Sequence, residues 1–178
     1  GTCLRSPPAP GTPAALRFVT ADGRVEFDDR VQGHTVANPA REGGDFVICR
    51  RDGIPAYMLA VVVDDAAQGV TDIVRGADLL DSTAGQIQLQ QALQLPTPRY
   101  AHVPVLVEPD GSKLAKSRRS VPLDDARPAR QAFQVLQWLG QDPPAELSDA
   151  TVNDCWRWGI DHWRIAEITK ISQVALRE

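Results

Sequence analysis

Cysteine is scarce and odd in number: Cys3, Cys49 and Cys155 are the three in 178 residues, far apart along the chain. That spacing gives no disulfide framework, and the expectation is a reducing compartment, the cytoplasm. Long apolar runs are missing. Val61-Val62-Val63 belongs to a short segment, far below the ~20 residues of a membrane-spanning helix, so no membrane contact is expected. The opening Gly1-Thr2-Cys3-Leu4-Arg5-Ser6 has no apolar stretch of the kind a secretion signal carries. It also has no initiator Met, which points to a processed or partial chain. Basic charge is not in excess: 19 Lys and Arg face 23 Asp and Glu, for a net charge of -4. This argues against a generally sticky nucleic-acid binder but permits a local basic face. No glycine-rich phosphate loop of the P-loop or dinucleotide type is present. His34, His102 and His162 stand isolated.

What is present is a 43% apolar chain, enough for one substantial core. Pro7, Pro8, Pro10, Gly11 and Pro13 make residues 4–15 an extended linker. Leu16 to Thr20 and Arg24 to Phe27 alternate around Asp22-Gly23, which predicts a hairpin, and Asp28 to Asn38 continues as irregular strand. Further strands are predicted at Phe46 to Cys49, Ala56 to Val63, Gln68 to Arg75 and Tyr100 to Val107. Residues 81–94 have helical spacing, with Asp81 or Ser82 as N-cap. Ala129 to Leu139 is an amphipathic helix ended by Gly140. Ser148-Asp149 would cap a second helix through about Trp158, and Trp163 to Ile171 reads as a third. Strands interleaved with helices, then a helical tail, give an α/β class with an α-helical extension.

Chemistry concentrates in a few places. Lys113-Leu114-Ala115-Lys116-Ser117 follows the polar turn Glu108 to Ser112. Two ammonium groups on one short loop can grip a triphosphate and stabilise charge developing on it, although a solvated surface loop has the same composition. Tyr57 opens an apolar segment that ends in Asp64-Asp65; half-buried packing and an acidic turn explain these equally. Arg75 ends a strand and abuts Gly76. Ligands collect at the carboxyl ends of strands in α/β sheets, and an arginine there suits bidentate capture of a carboxylate. A structural pair with Asp78 is the rival explanation. Trp138, Trp156, Trp158 and Trp163 in the tail can stack on bases, but helix-to-helix packing is their ordinary use. Arg118-Arg119 could meet RNA phosphate or simply face solvent.

Taken in order, Arg50-Arg51-Asp52-Gly53-Ile54-Pro55-Ala56-Tyr57, Val62-Val63-Asp64-Asp65, Gly69-Val70-Thr71, Val74-Arg75-Gly76-Ala77-Asp78, His102-Val103-Pro104 and the lysine loop form one series. With that series the chain resembles the glutamyl-tRNA synthetase-like class I aminoacyl-tRNA synthetases. The likeness runs from Phe46 to about Ser117 and is weaker on both sides. It implies the second half of a Rossmann-like catalytic domain. Residues 1–45 would be an N-terminal loop and hairpin region with a zinc-site remnant, 46–125 the catalytic α/β part with the lysine loop, and 126–178 a helical stub.

The resemblance implies ATP with Mg²⁺ as cofactor, L-glutamate and tRNA as partners, and a monomer. By matching position, Tyr57 and Arg75 contact glutamate, Arg75 through a substrate carboxylate. Lys113 and Lys116 act as catalytic, ATP-binding lysines, with Ser117 also at ATP; Ala115 replaces a serine common in the family loop. Cys3 resembles the last ligand of a zinc site whose Cys-x-Cys pair and Tyr are not in this chain. The His-x-Gly-His signature of the class, which binds adenine and phosphates, is also missing, so the activity is expected of a longer enzyme. Ala60 to Val63 replaces the Phe-Ala-Asn usual before Val-Asp-Asp, and the chain stops roughly sixty residues past the lysine loop. Both features resemble the truncated subgroup that places glutamate on queuosine in the anticodon loop of tRNA(Asp). A piece of an ordinary 3′-end-charging synthetase and a noncatalytic RNA-binding module are the alternatives.

Overall fold

A computed structural model describes residues 8–9, 11–112, 114 and 126–175. Its elements are β1 (Leu16–Phe18), β2 (Val25–Asp29), β3 (Gly33–Ala37), the single turn α1 (Pro39–Glu42), β4 (Phe46–Cys49), α2 (Tyr57–Ala67), β5 (Asp72–Gly76), α3 (Leu80–Ala92), β6 (Arg99–Val103), β7 (Val105–Val107), α4 (Pro128–Trp138), α5 (Val152–His162) and β8 (Gln173–Ala175). Mixed strands and helices confirm the α/β class. Contacts divide the chain into two units that interleave along the sequence. The first comprises the described part of Gly1–Asp29, with His34–Ile73 and Leu79–Tyr100. The second comprises Arg30–Gly33, Val74–Asp78 and the described part of Ala101–Glu178.

In the first unit the strand order is β3-β2-β6-β5, and β5 and β6 continue into the second. β2 and β6 run parallel, with Asp29 opposite Tyr100. A strand-helix-strand crossover through α3 places β5 beside β6. The core of this unit is Val25, Ala84, Ile87 and Tyr100, with Phe27, Ala37 and Ile73 packed against it. Phe27 meets the Tyr100 ring edge-on at 5.9 Å. Gln90 Nε2 donates to the Tyr100 hydroxyl at 2.9 Å, which gives the buried phenol a partner.

The expected hairpin around Asp22-Gly23 does not form. β1 pairs antiparallel with β4 instead, Phe18 opposite Phe46, with the two rings 5.3 Å apart. The backbone between β1 and β2 is held by side chains: Asp45 Oδ1 accepts from Thr20 N–H at 3.1 Å, and the Gln88 amide both accepts from and donates to Ala21. Long-range pairing has overridden a good local turn signal. β2 turns back into β3 through Arg30 to Gln32.

The segment from Tyr57 is helix, not strand. Ala56 N–H bonds Ile48 O at 2.9 Å, fixing the start just after Pro55. A strand would set Tyr57, Leu59, Val61 and Val63 on one face. Instead Tyr57 and Val63 are exposed while Val62 is buried, and short apolar runs are ambiguous on periodicity alone. Asp64-Asp65 therefore sit in the last turn of α2, against the helix dipole, and not in a strand-to-loop turn. β5 begins only at Asp72 because Gln68 caps α2 and Gly69 (φ 69°) reverses the chain. α3 starts at Leu80 out of a 3-10 turn, so neither Asp81 nor Ser82 caps it.

In the second unit, Val31, Ala101 and Ile168 form a core with Val103, Leu139 and Ile165. Pro104 lacks an N–H and splits the predicted strand into β6 and β7. α4 ends as expected at Gly140. The next helix is capped by Thr151, whose hydroxyl accepts from Asp154 N–H while the Asp154 carboxylate accepts from Thr151, a capping box; Ser148-Asp149 lies in a 3-10 turn. Residues 163–171 are not the expected third helix. Gln141 takes Arg164 N–H at 2.8 Å and donates to Leu139 O and Arg164 O, so its buried amide replaces a helical ladder there. The chain then returns as β8, parallel to β7 with Leu106 opposite Val174, so the C-terminal stretch is not wholly helical.

Candidate functional site

Arg75 is the next-to-last residue of β5 and His102 the next-to-last of β6, both at the carboxyl ends of neighbouring strands in the second unit. Arg75 is half-buried and His102 fully buried. Arg75 Nε donates to His102 Nε2 at 3.0 Å. A guanidinium only donates, so Nε2 must present its lone pair, and the imidazole is neutral with its proton on Nδ1. The His102 carbonyl accepts from Gln32 Nε2 at 2.8 Å, and the same amide nitrogen reaches Ile171 O at 3.1 Å. Gly76 follows Arg75 because no Cβ fits: it would lie 2.5 Å from Asp78 Oδ1 and 2.7 Å from Val105 Cγ1. The close approach that a glycine here implied is thus made by this chain's own Asp78 and Val105.

Alternation along β5 and β6 sends Val74 and Val103 to the opposite side. There they line a cavity of about 410 Å³ with Trp163 and Ile165. Past β7 the chain closes a tight turn. Glu108 N–H bonds Ser112 O and Gly111 N–H bonds Glu108 O, each at 2.8 Å, and Asp110 Oδ1 accepts from Ser112 N–H at 2.8 Å. This turn leads directly into the lysine loop. Lys113, Lys116 and Ser117 lie outside the described residues, as do Arg118-Arg119 and Cys3.

Tyr57, in the first unit, is the first residue of α2 and is 53% exposed, so its ring is not a packed strand aromatic. Two tail tryptophans also depart from the packing expectation: Trp156 and Trp163 are 54% and 45% exposed. Trp158 stacks on His162, ring centres 4.7 Å apart. Among the described residues no cluster of His, Cys, Asp or Glu could hold a metal. Cys49 and Cys155 are free thiols, and Cys155 is packed with its Sγ toward Leu147 O and Ala129 O. Burial pushes the Cys155 thiol's pKa up, away from the thiolate a metal requires. A four-ligand zinc site does not fit the described residues. Sequence reasoning placed His102 in the His102-Val103-Pro104 motif but gave it no role, and it missed Gln32.

The class follows from the family comparison: the chain belongs to the class I tRNA synthetases (E and Q), whose catalytic-domain family model matches residues 4–174. Its relatives narrow the comparison. It is 49% identical over 170 residues to the glutamyl-Q tRNA(Asp) synthetase of Aromatoleum aromaticum, covering 96% of this chain and 54% of that protein. It is 53% identical over 157 residues to the protein of the same name from Pseudomonas aeruginosa PAO1, covering 88% of this chain and 54% of that one. The chain therefore spans about half the length of the curated relatives it matches. Among solved structures, glutamate-tRNA synthetase from Elizabethkingia anophelis superposes with a TM-score of 0.70 at 22% identity, over 99% of this chain and 38% of that one. That likeness shows the fold.

Proposed function

We propose that the whole protein activates L-glutamate with ATP and transfers the glutamyl group to queuosine in the anticodon loop of tRNA(Asp). The observation that carries this reading is the sequence match at about half identity, along nearly the whole chain, to proteins named glutamyl-Q tRNA(Asp) synthetase.

In this reading the glutamate α-carboxylate oxygen attacks the ATP α-phosphorus. The bond to the β-phosphate breaks, and pyrophosphate leaves from a glutamyl adenylate. Attack by queuosine on the acyl carbon then releases AMP. Lys113 and Lys116 offset charge on the phosphates as pyrophosphate departs, and Ser117 contacts ATP. Arg75 receives a glutamate carboxylate and Tyr57 supplies its phenol. Mg²⁺ enters with ATP. Cys3 gives one zinc ligand, and the others would have to come from outside this chain. The cytoplasm is the site of action, and the working form is a monomer.

The test supplies the whole native protein with ATP, labelled glutamate and two forms of tRNA(Asp). One carries queuosine and lacks its 3′-terminal adenosine; the other has guanine in place of queuosine and an intact 3′ end. Label on the first form alone is expected. Label on the second alone makes the enzyme an ordinary synthetase, and label on neither removes the catalytic reading.

A further inference from the structure

His102 is 0% exposed, yet it is polar, and its Nε2 accepts from the Nε of Arg75. Burying an imidazole is unfavourable unless its polar atoms find hydrogen-bond partners. The geometry accounts for its use. An arginine side chain has many rotamers, and binding a carboxylate freezes them. Here the Nε–H···Nε2 contact at 3.0 Å fixes the guanidinium plane in advance. A guanidinium whose plane is set beforehand meets a carboxylate with less of its rotamer freedom left to lose.

The backbone that carries the imidazole is itself held. Gln32 donates to the His102 carbonyl and to Ile171 O, joining β6 to the chain that becomes β8. Val105 N–H bonds Ser172 O at 3.0 Å in the adjoining ladder. His102 therefore sits on a backbone tied at both sides of Pro104.

We infer that His102 is a positioning residue for glutamate recognition: its neutral Nε2 acceptor presets the Arg75 guanidinium, and Gln32 anchors the strand that carries it. This rests on the reading of Arg75 as a carboxylate-binding residue. It adds a requirement for an acceptor at one place, in one tautomer, which that reading alone does not contain.

The test measures glutamate-dependent ATP–pyrophosphate exchange in the whole native protein with His102→Leu, His102→Gln and Arg75→Ala. His102→Leu is expected to raise KM for glutamate about tenfold or more, the scale of losing preorganisation at a charged contact, with KM for ATP nearly unchanged. His102→Gln, whose amide oxygen can accept at the same place, restores most of the loss. Melting temperatures of all variants separate misfolding from mispositioning. If Arg75→Ala impairs glutamate use and His102→Leu does not, the inference falls while the glutamate site stands. If Leu and Gln at 102 impair both substrates equally, the role is structural and the inference is overturned. If Arg75→Ala changes nothing, the glutamate reading and this inference fall together. Nitrogen NMR of the unmodified protein checks the tautomer directly: an unprotonated Nε2 and a protonated Nδ1 are expected for His102, and the reverse assignment overturns the inference.

Discussion

Gly69 and Gly140 end two helices in the same way, and that makes them a controlled comparison. After α2, Gly69 N–H bonds Ala66 O and Val70 N–H bonds Asp65 O; after α4, Gly140 N–H bonds Gln137 O and Gln141 N–H bonds Leu136 O. Both are Schellman endings with a left-handed glycine, at φ 69° and 71°. Alanine at either costs about 1–2 kcal/mol of backbone strain, partly offset by a stiffer unfolded chain. At Gly69 nothing lies within 4 Å of the added Cβ, so the cost stops there. At Gly140 the Cβ is driven into the Glu167 carbonyl oxygen, which belongs to backbone and cannot rotate away. The neighbouring Arg164 backbone is pinned by Gln141. Overpacking of this kind adds roughly 1–3 kcal/mol. Gly140→Ala should therefore be less stable than Gly69→Ala by at least ~1 kcal/mol, or about 2–4 °C in melting temperature. Urea titration followed by tryptophan fluorescence and circular dichroism measures both. Equal losses at the two sites would refute the steric argument, because the dihedral strain is common to them.

Other outcomes follow from single contacts. Gln94 takes the same left-handed position after α3 at φ 56° without being glycine, so Gln94→Gly should raise stability by up to ~1 kcal/mol in the same titration. Tyr100→Phe removes the partner of the buried Gln90 amide and should cost about 1–3 kcal/mol; adding Gln90→Leu should recover part of it. The Asp154 carboxyl is held below its ordinary value of 3.8, first by the Thr151 hydroxyl and then by the Thr151 backbone N–H. A carboxyl depressed in the folded state stabilises above its unfolded value and loses that contribution as pH falls through the folded one. Lowering pH from about 5 to below 4 should therefore weaken α5 in the native protein and less so in Asp154→Asn, read by helical circular dichroism.

Where local chemistry and tertiary contacts agree, the sequence was readable. The Pro128 start and Gly140 stop of α4, the Phe46–Cys49 strand, and Arg75 at a strand's carboxyl end all lay in residue types whose constraints are short-range. The failures share a cause. The Asp22-Gly23 turn lost to a pairing between β1 and β4, in which Phe18, Phe46 and Asp45 take part across a long stretch of chain. The run from Tyr57 to Val63 holds apolar residues that suit either period, and the deciding bond, Ala56 N–H to Ile48 O, is not local. The expected helix after Trp163 was displaced by one buried amide from Gln141, twenty-three positions earlier. Of the site, the order of motifs carried the family, while the His102 acceptor behind Arg75 became visible only when two strands were placed side by side.

The account's central claim is that Arg75 binds the glutamate carboxylate. The most direct measurement is the glutamate concentration dependence of ATP–pyrophosphate exchange in the whole native protein and its Arg75→Ala form. Loss of two charge-assisted hydrogen bonds, at roughly 1.5–3 kcal/mol each, predicts a KM for glutamate at least about 100-fold higher. An unchanged KM, in a variant that melts as the native protein does, would contradict it.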